Sequence, residues 1–196
     1  MKISGRFVVA AGVAVTATPA LAHTGVTSTS GFSAGFGHPL GGLDHMLAMV
    51  AVGLLAAALG GRWLWALPAT FLAFLVLGGI AGMSNLPLPA VELGIKGSVL
   101  VLGLAVVFGR ACPAPLAAAV VAVFAFFHGH AHGTEMPATV GALDYGLGFV
   151  LATALLHLLG IAIGLASGLL PERSGQAVRQ AGGAAIACLG LVLLVG

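Results

Sequence analysis

The sequence predicts an all-α, polytopic membrane protein: a six-transmembrane-helix bundle behind a cleaved signal peptide. Composition points there first, since 60% of the 196 residues are hydrophobic and 6% are charged, with a mean hydropathy of +1.16. An average soluble domain carries about 25% charged residues. The apolar residues also gather into six segments, each long enough to cross a hydrocarbon core of about 30 Å as a helix. Finally, the 31 glycines suit helices that pack in lipid through small residues. A net charge of +2 without a basic patch argues against nucleic acid as a partner. Cys112 and Cys188 have no paired spacing, so neither a disulfide framework nor a thiolate zinc site is indicated, and both read as small core residues.

Residues 1–22 read as the signal peptide. Lys2 and Arg6 precede an apolar run from Phe7 to Val15, and Ala20 and Ala22 supply the small residues of a cleavage site. Cleavage after Ala22 makes His23 the new N-terminus, with an α-amine and an imidazole on one residue. Either that residue chelates metal or it merely tolerates the cleavage site. Residues 23–196 then form one membrane domain.

The six apolar segments cover roughly 40–60, 63–83, 89–109, 113–131, 139–169 and 177–195. Short connections rich in turn formers join them: Gly60-Gly61-Arg62, Ser84 to Pro89, Arg110 to Pro113, and Pro171-Glu172-Arg173-Ser174-Gly175. Lysine and arginine concentrate on the cytoplasmic side of membrane proteins. With the mature N-terminus outside, the first, third and fifth loops are cytoplasmic, and these carry Arg62, Arg110 and Arg173, with Arg179 just beyond. The outer loops carry no basic residue of either kind, and the C-terminus is also outside. Within the third segment, Glu92 and Lys96 stand four apart in the order that favours an intrahelical pair, read as structural or as snorkelling toward water. Gly78 and Gly82, and Gly160, Gly164 and Gly168, repeat at intervals of four and read as packing faces.

Chemistry concentrates in two stretches. The first is His38-Pro39-Leu40-Gly41-Gly42-Leu43-Asp44-His45. If a helix is already wound at His38, the two imidazoles lie within about 20° on one face; Gly41 and Gly42 equally allow an unwound entry, as at ion sites of transporters. Met49 lies one turn beyond His45. The second stretch ends the fourth segment with Phe127-His128-Gly129-His130-Ala131-His132-Gly133-Thr134-Glu135. Spacings of four and three place His128, His132 and Glu135 on one helix face, with His130 about 160° from His132. Should Gly129, Gly133 and Pro137 loosen the helix, His130 swings round as an entry or supporting ligand. His45 stands fifteen residues from the turn at Gly60, and His128 fifteen from the turn at Pro113, so both sit about 22 Å along their helices at the same level. In the fifth segment Asp144 reads as a mouth residue and His157 as a deeper path ligand. Ionisable groups inside a membrane are costly and mark ion pathways, and imidazole with carboxylate suits a divalent transition metal. The candidate metal residues are therefore His23, His38, Asp44, His45, His128, His130, His132, Glu135 and His157.

These motifs resemble the HupE/UreJ family of bacterial membrane proteins. The resemblance rests on His23-Thr24-Gly25, the His38 to His45 motif, the Phe127 to Glu135 motif and Ala152-Thr153-Ala154-Leu155-Leu156-His157, and it covers the whole mature chain. It implies a nickel or cobalt permease of the inner membrane that serves hydrogenase or urease maturation. The metal is then the transported substrate, no cofactor is held permanently, and the partners are the ion, the bilayer and metalloenzyme maturation proteins. His38, Asp44, His45, His128 and His132 would handle the metal, with Glu135 close behind. No Gly-x-x-x-x-Gly-Lys-Ser/Thr loop occurs, so a permease of this kind would draw on an ion gradient, the membrane potential, a partner or downhill flow. The chain is expected not to be an enzyme. The rival readings are an intramembrane metal-dependent hydrolase, since histidine and aspartate ligands can activate water, and a metal-binding accessory or sensor protein that does not transport.

Overall fold

The computed structural model describes residues 30–196. Cleavage after Ala22 and the role of His23 fall outside the described residues. Among the described residues all regular structure is helical: α1 (Gly31–Gly41), α2 (Leu43–Leu59), α3 (Trp63–Met83), α4 (Val91–Phe108), α5 (Ala114–Thr134), α6 (Ala142–Ser167) and α7 (Glu172–Val195), with one 3-10 turn after α4. Five of these, α3 to α7, are each long and apolar enough to cross a membrane, and α1 with α2 form a pair bent by 84°, the form of a broken span or of a re-entrant loop.

The first apolar segment is thus not one helix from residue 40. The sequence gives α1 weak helix propensity, with Gly31, Gly35 and Gly37 in its first seven residues, yet it winds because of what it packs on. Ser30 caps it, its hydroxyl accepting from the Ser33 N–H. Gly35 lies against the Tyr145 backbone, and Gly148 of α6 lies against the backbone of Phe32 and Phe36. Neither position has room for a methyl group. His38 therefore ends a helix instead of beginning one, and the chain turns at Gly42 in an extended conformation.

The other helices pair in the same way. α3 packs along α5, with Gly78 and Gly82 against the backbone of Phe126 and His130, and Gly129 against Leu75. α2 crosses α6 where Gly53 meets the His157 carbonyl and Gly160 meets the Val50 carbonyl. Gly164 continues that face against Ala57, but Gly168 is exposed and contacts only its own helix. α7 begins at Glu172, just after Pro171 and about a turn before the apolar segment, because an acid suits the first turn of a helix.

The outward surface is apolar: Leu155, Leu158, Leu159 and Ile163 of α6 are all exposed, as they are where lipid is the solvent. Among the described residues the buried polar ones are Ser98, His128, His130, His132, Thr153, His157 and Ser167. At one end, Arg110 Nε donates to the Ala58 carbonyl at 3.2 Å and Arg179 reaches the Ser167 hydroxyl at 3.4 Å. These arginines line a polar cleft of about 660 Å³. Glu92 and Lys96 do not close an ion pair; among the described residues, the pairs within 4 Å all involve histidine. Cys112 is half-buried and packs against the core, whereas Cys188 is exposed and is not a core residue.

Candidate metal centre

At the end opposite the arginines the two histidine motifs meet. α5 stays helical through Gly129 and Gly133, because α3 fills the space beside those glycines. His128 and His132 therefore share a face, one turn apart. The start of α2 brings the His45 ring to 4.8 Å from His128 and 4.4 Å from His132, centroid to centroid. The end of α1 brings His38 edge-on to His132 at 4.6 Å. Four imidazoles from three helices thus form one cluster.

Asp44 stands behind His45. Its Oδ1 accepts from the His45 N–H at 2.8 Å and from Nδ1–H at 2.7 Å. With Nδ1 protonated, the lone pair of His45 is on Nε2, which is buried and has no hydrogen-bond partner. Gly42 makes this possible, since a Cβ there would lie 2.7 Å from His45 Nδ1 and 2.8 Å from Asp44 Oδ1. His128 is oriented by a residue absent from the candidate set. The Ser98 hydroxyl donates to the Ile95 carbonyl at 2.6 Å, so its oxygen accepts from His128 Nε2–H at 2.9 Å. That leaves Nδ1 of His128 as the free acceptor, and it too is buried without a partner. Both nitrogens of His132 are unpartnered. His45 and His128, each with its outer nitrogen tied back and its inner one bare, are held as metal-binding imidazoles are.

One ligand atom from each of His45, His128 and His132 lies within 4.8 Å of the others, and the same is true of His38, His132 and Glu135. His132 belongs to both groups. In the first, His128 and His132 are buried and His45 is nearly so. The second reaches the surface through half-exposed Glu135, whose Oε2 lies 3.5 Å from His38 Nε2 and 3.9 Å from His132 Nδ1.

The family described as HupE / UreJ protein matches residues 11–193. The chain belongs to the HupE/UreJ family. It is 46% identical over 185 residues to Protein HupE of Rhizobium leguminosarum bv. viciae, an alignment covering 94% of this chain and 95% of that protein. No solved structure matches it.

The remaining candidate residues of this HupE/UreJ chain lie apart from the four-imidazole cluster. His130 does not swing round: with α5 intact, its Nε2–H donates to the Leu86 carbonyl at 2.7 Å, holding the α3–α4 connection. Asp144 is exposed at the start of α6. His157 lies deeper, beside Gly53, which is eight residues along α2 from His45, or about 12 Å. On α6 it completes a row at intervals of four: Tyr145, Phe149, Thr153 and His157, all buried. Phe149 lies 4.3 Å from the His132 ring and Tyr145 lies 5.9 Å from His38. Ser98 and Tyr145 are the polar neighbours that sequence reading passed over. Each nevertheless left a trace, Ser98 as the one hydroxyl in α4 and Tyr145 as the single tyrosine of the chain.

Proposed function

We propose that this protein is a secondary permease that moves Ni²⁺ or Co²⁺ from the periplasm to the cytoplasm across the bacterial inner membrane, supplying hydrogenase or urease maturation. The observation that carries the reading is the sharing of His132 between two three-ligand groups, one at the surface and one buried. A resident metal site needs a single ligand set, closed or with one open position; a path needs successive sets that hand the ion on. His38 and Glu135 take the ion with His132, and His132 then presents it to His45 and His128. Two ligands on one ion at about 2.1 Å each are at most about 4.2 Å apart, so each group contracts slightly on binding. Asp44 acts here by positioning His45 and holding its tautomer. The arginine end faces the cytoplasm, in keeping with the distribution of positive charge, and both termini of the mature chain are periplasmic.

A hydrolase remains the second reading, because one feature favours it. An apolar cleft of about 530 Å³ between α3, α5 and α6 reaches His132, Tyr145 and Phe149 from the lipid-facing side, and an acyl chain would fit it. Uptake of radioactive nickel and cobalt into proteoliposomes, with wild type compared to His45→Ala and His132→Ala, separates the two. Saturable accumulation lost in both variants supports a permease. Metal bound tightly without accumulation rejects it in favour of the hydrolase or a non-transporting accessory protein.

A further inference from the structure

Below the imidazole cluster, the row on α6 ends in polar atoms with nothing to bond. Thr153 Oγ1 and both nitrogens of His157 are buried and unpartnered, and Thr153 and His157 are neighbours one helical turn apart. A fully buried imidazole with neither nitrogen satisfied is costly in an apolar interior. Nothing on α6 itself accounts for its retention there. One buried side chain, Phe71 of α3, touches both this pair's His157 and the cluster's His128. Its ring lies 6.0 Å from His128, tilted by 49°, and 4.9 Å from His157, edge to face at 83°. Phe71 is itself fully buried.

The helix that carries the ring also has a weakened rung close by. Pro68 lies within α3, one turn before Phe71. It has no N–H to give the Leu64 carbonyl, so the helix lacks a rung there and bends more readily. Apolar constrictions close pores by excluding water.

We propose that Phe71 is the gate of the permeation path, and that His157 with Thr153 is a weak inner station that receives the divalent ion once the ring swings aside. The proposal rests on the permease reading above. One imidazole and one hydroxyl, with water completing the shell, make a loose site. An ion arriving from a three-ligand set can therefore leave it toward the arginine-lined cleft, as conduction requires.

The test is the initial rate of ⁶³Ni²⁺ uptake into proteoliposomes for wild type, Phe71→Ala, Phe71→Trp and His157→Ala. Each variant is first titrated with Co²⁺ by optical absorption to establish that the outer cluster is intact. Removing the ring lowers the closing barrier, so Phe71→Ala transports about fivefold faster or more, while Phe71→Trp and His157→Ala are each slower by about tenfold with unchanged Co²⁺ affinity. If Phe71→Ala fails to bind Co²⁺, Phe71→Leu, closer in volume, takes its place with the same direction expected. A wild type that accumulates metal while the Phe71 variants match its rate, or move it oppositely, overturns the gate and leaves the permease standing. A wild type that binds Co²⁺ but accumulates nothing overturns both.

Discussion

A single carboxylate oxygen, Oδ1 of Asp44, accepts from both the backbone and the ring of His45, at 2.8 and 2.7 Å. The neighbouring residue therefore sets the orientation and the tautomer of the imidazole. Asp44→Asn keeps the shape but removes the charge, and its amide can donate to Nδ1 and drive the proton to Nε2. Metal affinity should fall about 10–100-fold, the usual cost of losing an outer partner. Isothermal titration with Co²⁺ checks this. An Asp44→Asn protein that binds like wild type would leave Asp44 without a positioning role.

His132 is the residue the two ligand groups share. His132→Ala removes a ligand from both, whereas His38→Ala spares the buried group of His45, His128 and His132. Equilibrium binding should therefore be lost in His132→Ala, by more than about 100-fold, and survive in His38→Ala, in which the uptake rate falls instead. Paired Co²⁺ titration and uptake measurements on the two variants decide the matter. Equal losses of affinity would mean a single site instead of two steps.

Ser98 holds His128 from behind, its oxygen accepting from Nε2–H at 2.9 Å. In Ser98→Ala that N–H is left buried without an acceptor, costing about 1–3 kcal/mol, and the ring is free to shift its proton to the metal-facing nitrogen. The expected result is a lower unfolding midpoint in detergent together with weaker Co²⁺ binding. Ser98→Thr, which keeps the hydroxyl, should restore the binding. Rescue distinguishes the hydrogen bond from mere packing at this position.

How much of this was legible in the sequence depends on the force responsible. Hydropathy located α3 at Trp63–Met83 residue for residue, because a lipid-crossing helix is written in continuous apolar character. Counting residues from the turns brought His45 and His128 to one level, and their rings do meet there, edge to face at 4.8 Å. Helix α1 escaped because Gly31, Gly35 and Gly37 leave it little helix propensity of its own; contact with the α6 backbone supports it. Ser98 escaped because its partner lies thirty residues away on another helix, a relationship no local spacing expresses. For His130 the balance between glycine-weakened helix and tight packing was open, and the α3 surface beside Gly129 and Gly133 decided it. The Glu92 and Lys96 spacing permits a pair, but spacing alone supplies too little energy, about 0.2–0.5 kcal/mol, to hold two flexible side chains together.

Gly42 provides a test in which local and tertiary effects oppose each other. It sits at φ −108 and ψ 123 between α1 and α2, a conformation open to any residue. By backbone preference alone, Gly42→Ala should be harmless or mildly stabilising, through a less disordered unfolded chain. The methyl group, however, would stand 2.7 Å from His45 Nδ1 and 2.8 Å from Asp44 Oδ1, where no carbon can be accommodated. Either the Asp44–His45 pair separates or α1 swings away from α2, and both displace a ligand. Gly42→Ala should therefore fold and retain its unfolding midpoint while losing Co²⁺ affinity by about the same 10–100-fold as Asp44→Asn. In the Gly42→Ala/Asp44→Asn double variant the losses should not add, because both act through the one orientation of His45. Additive losses would mean that Gly42 serves the bend between the helices and not the histidine.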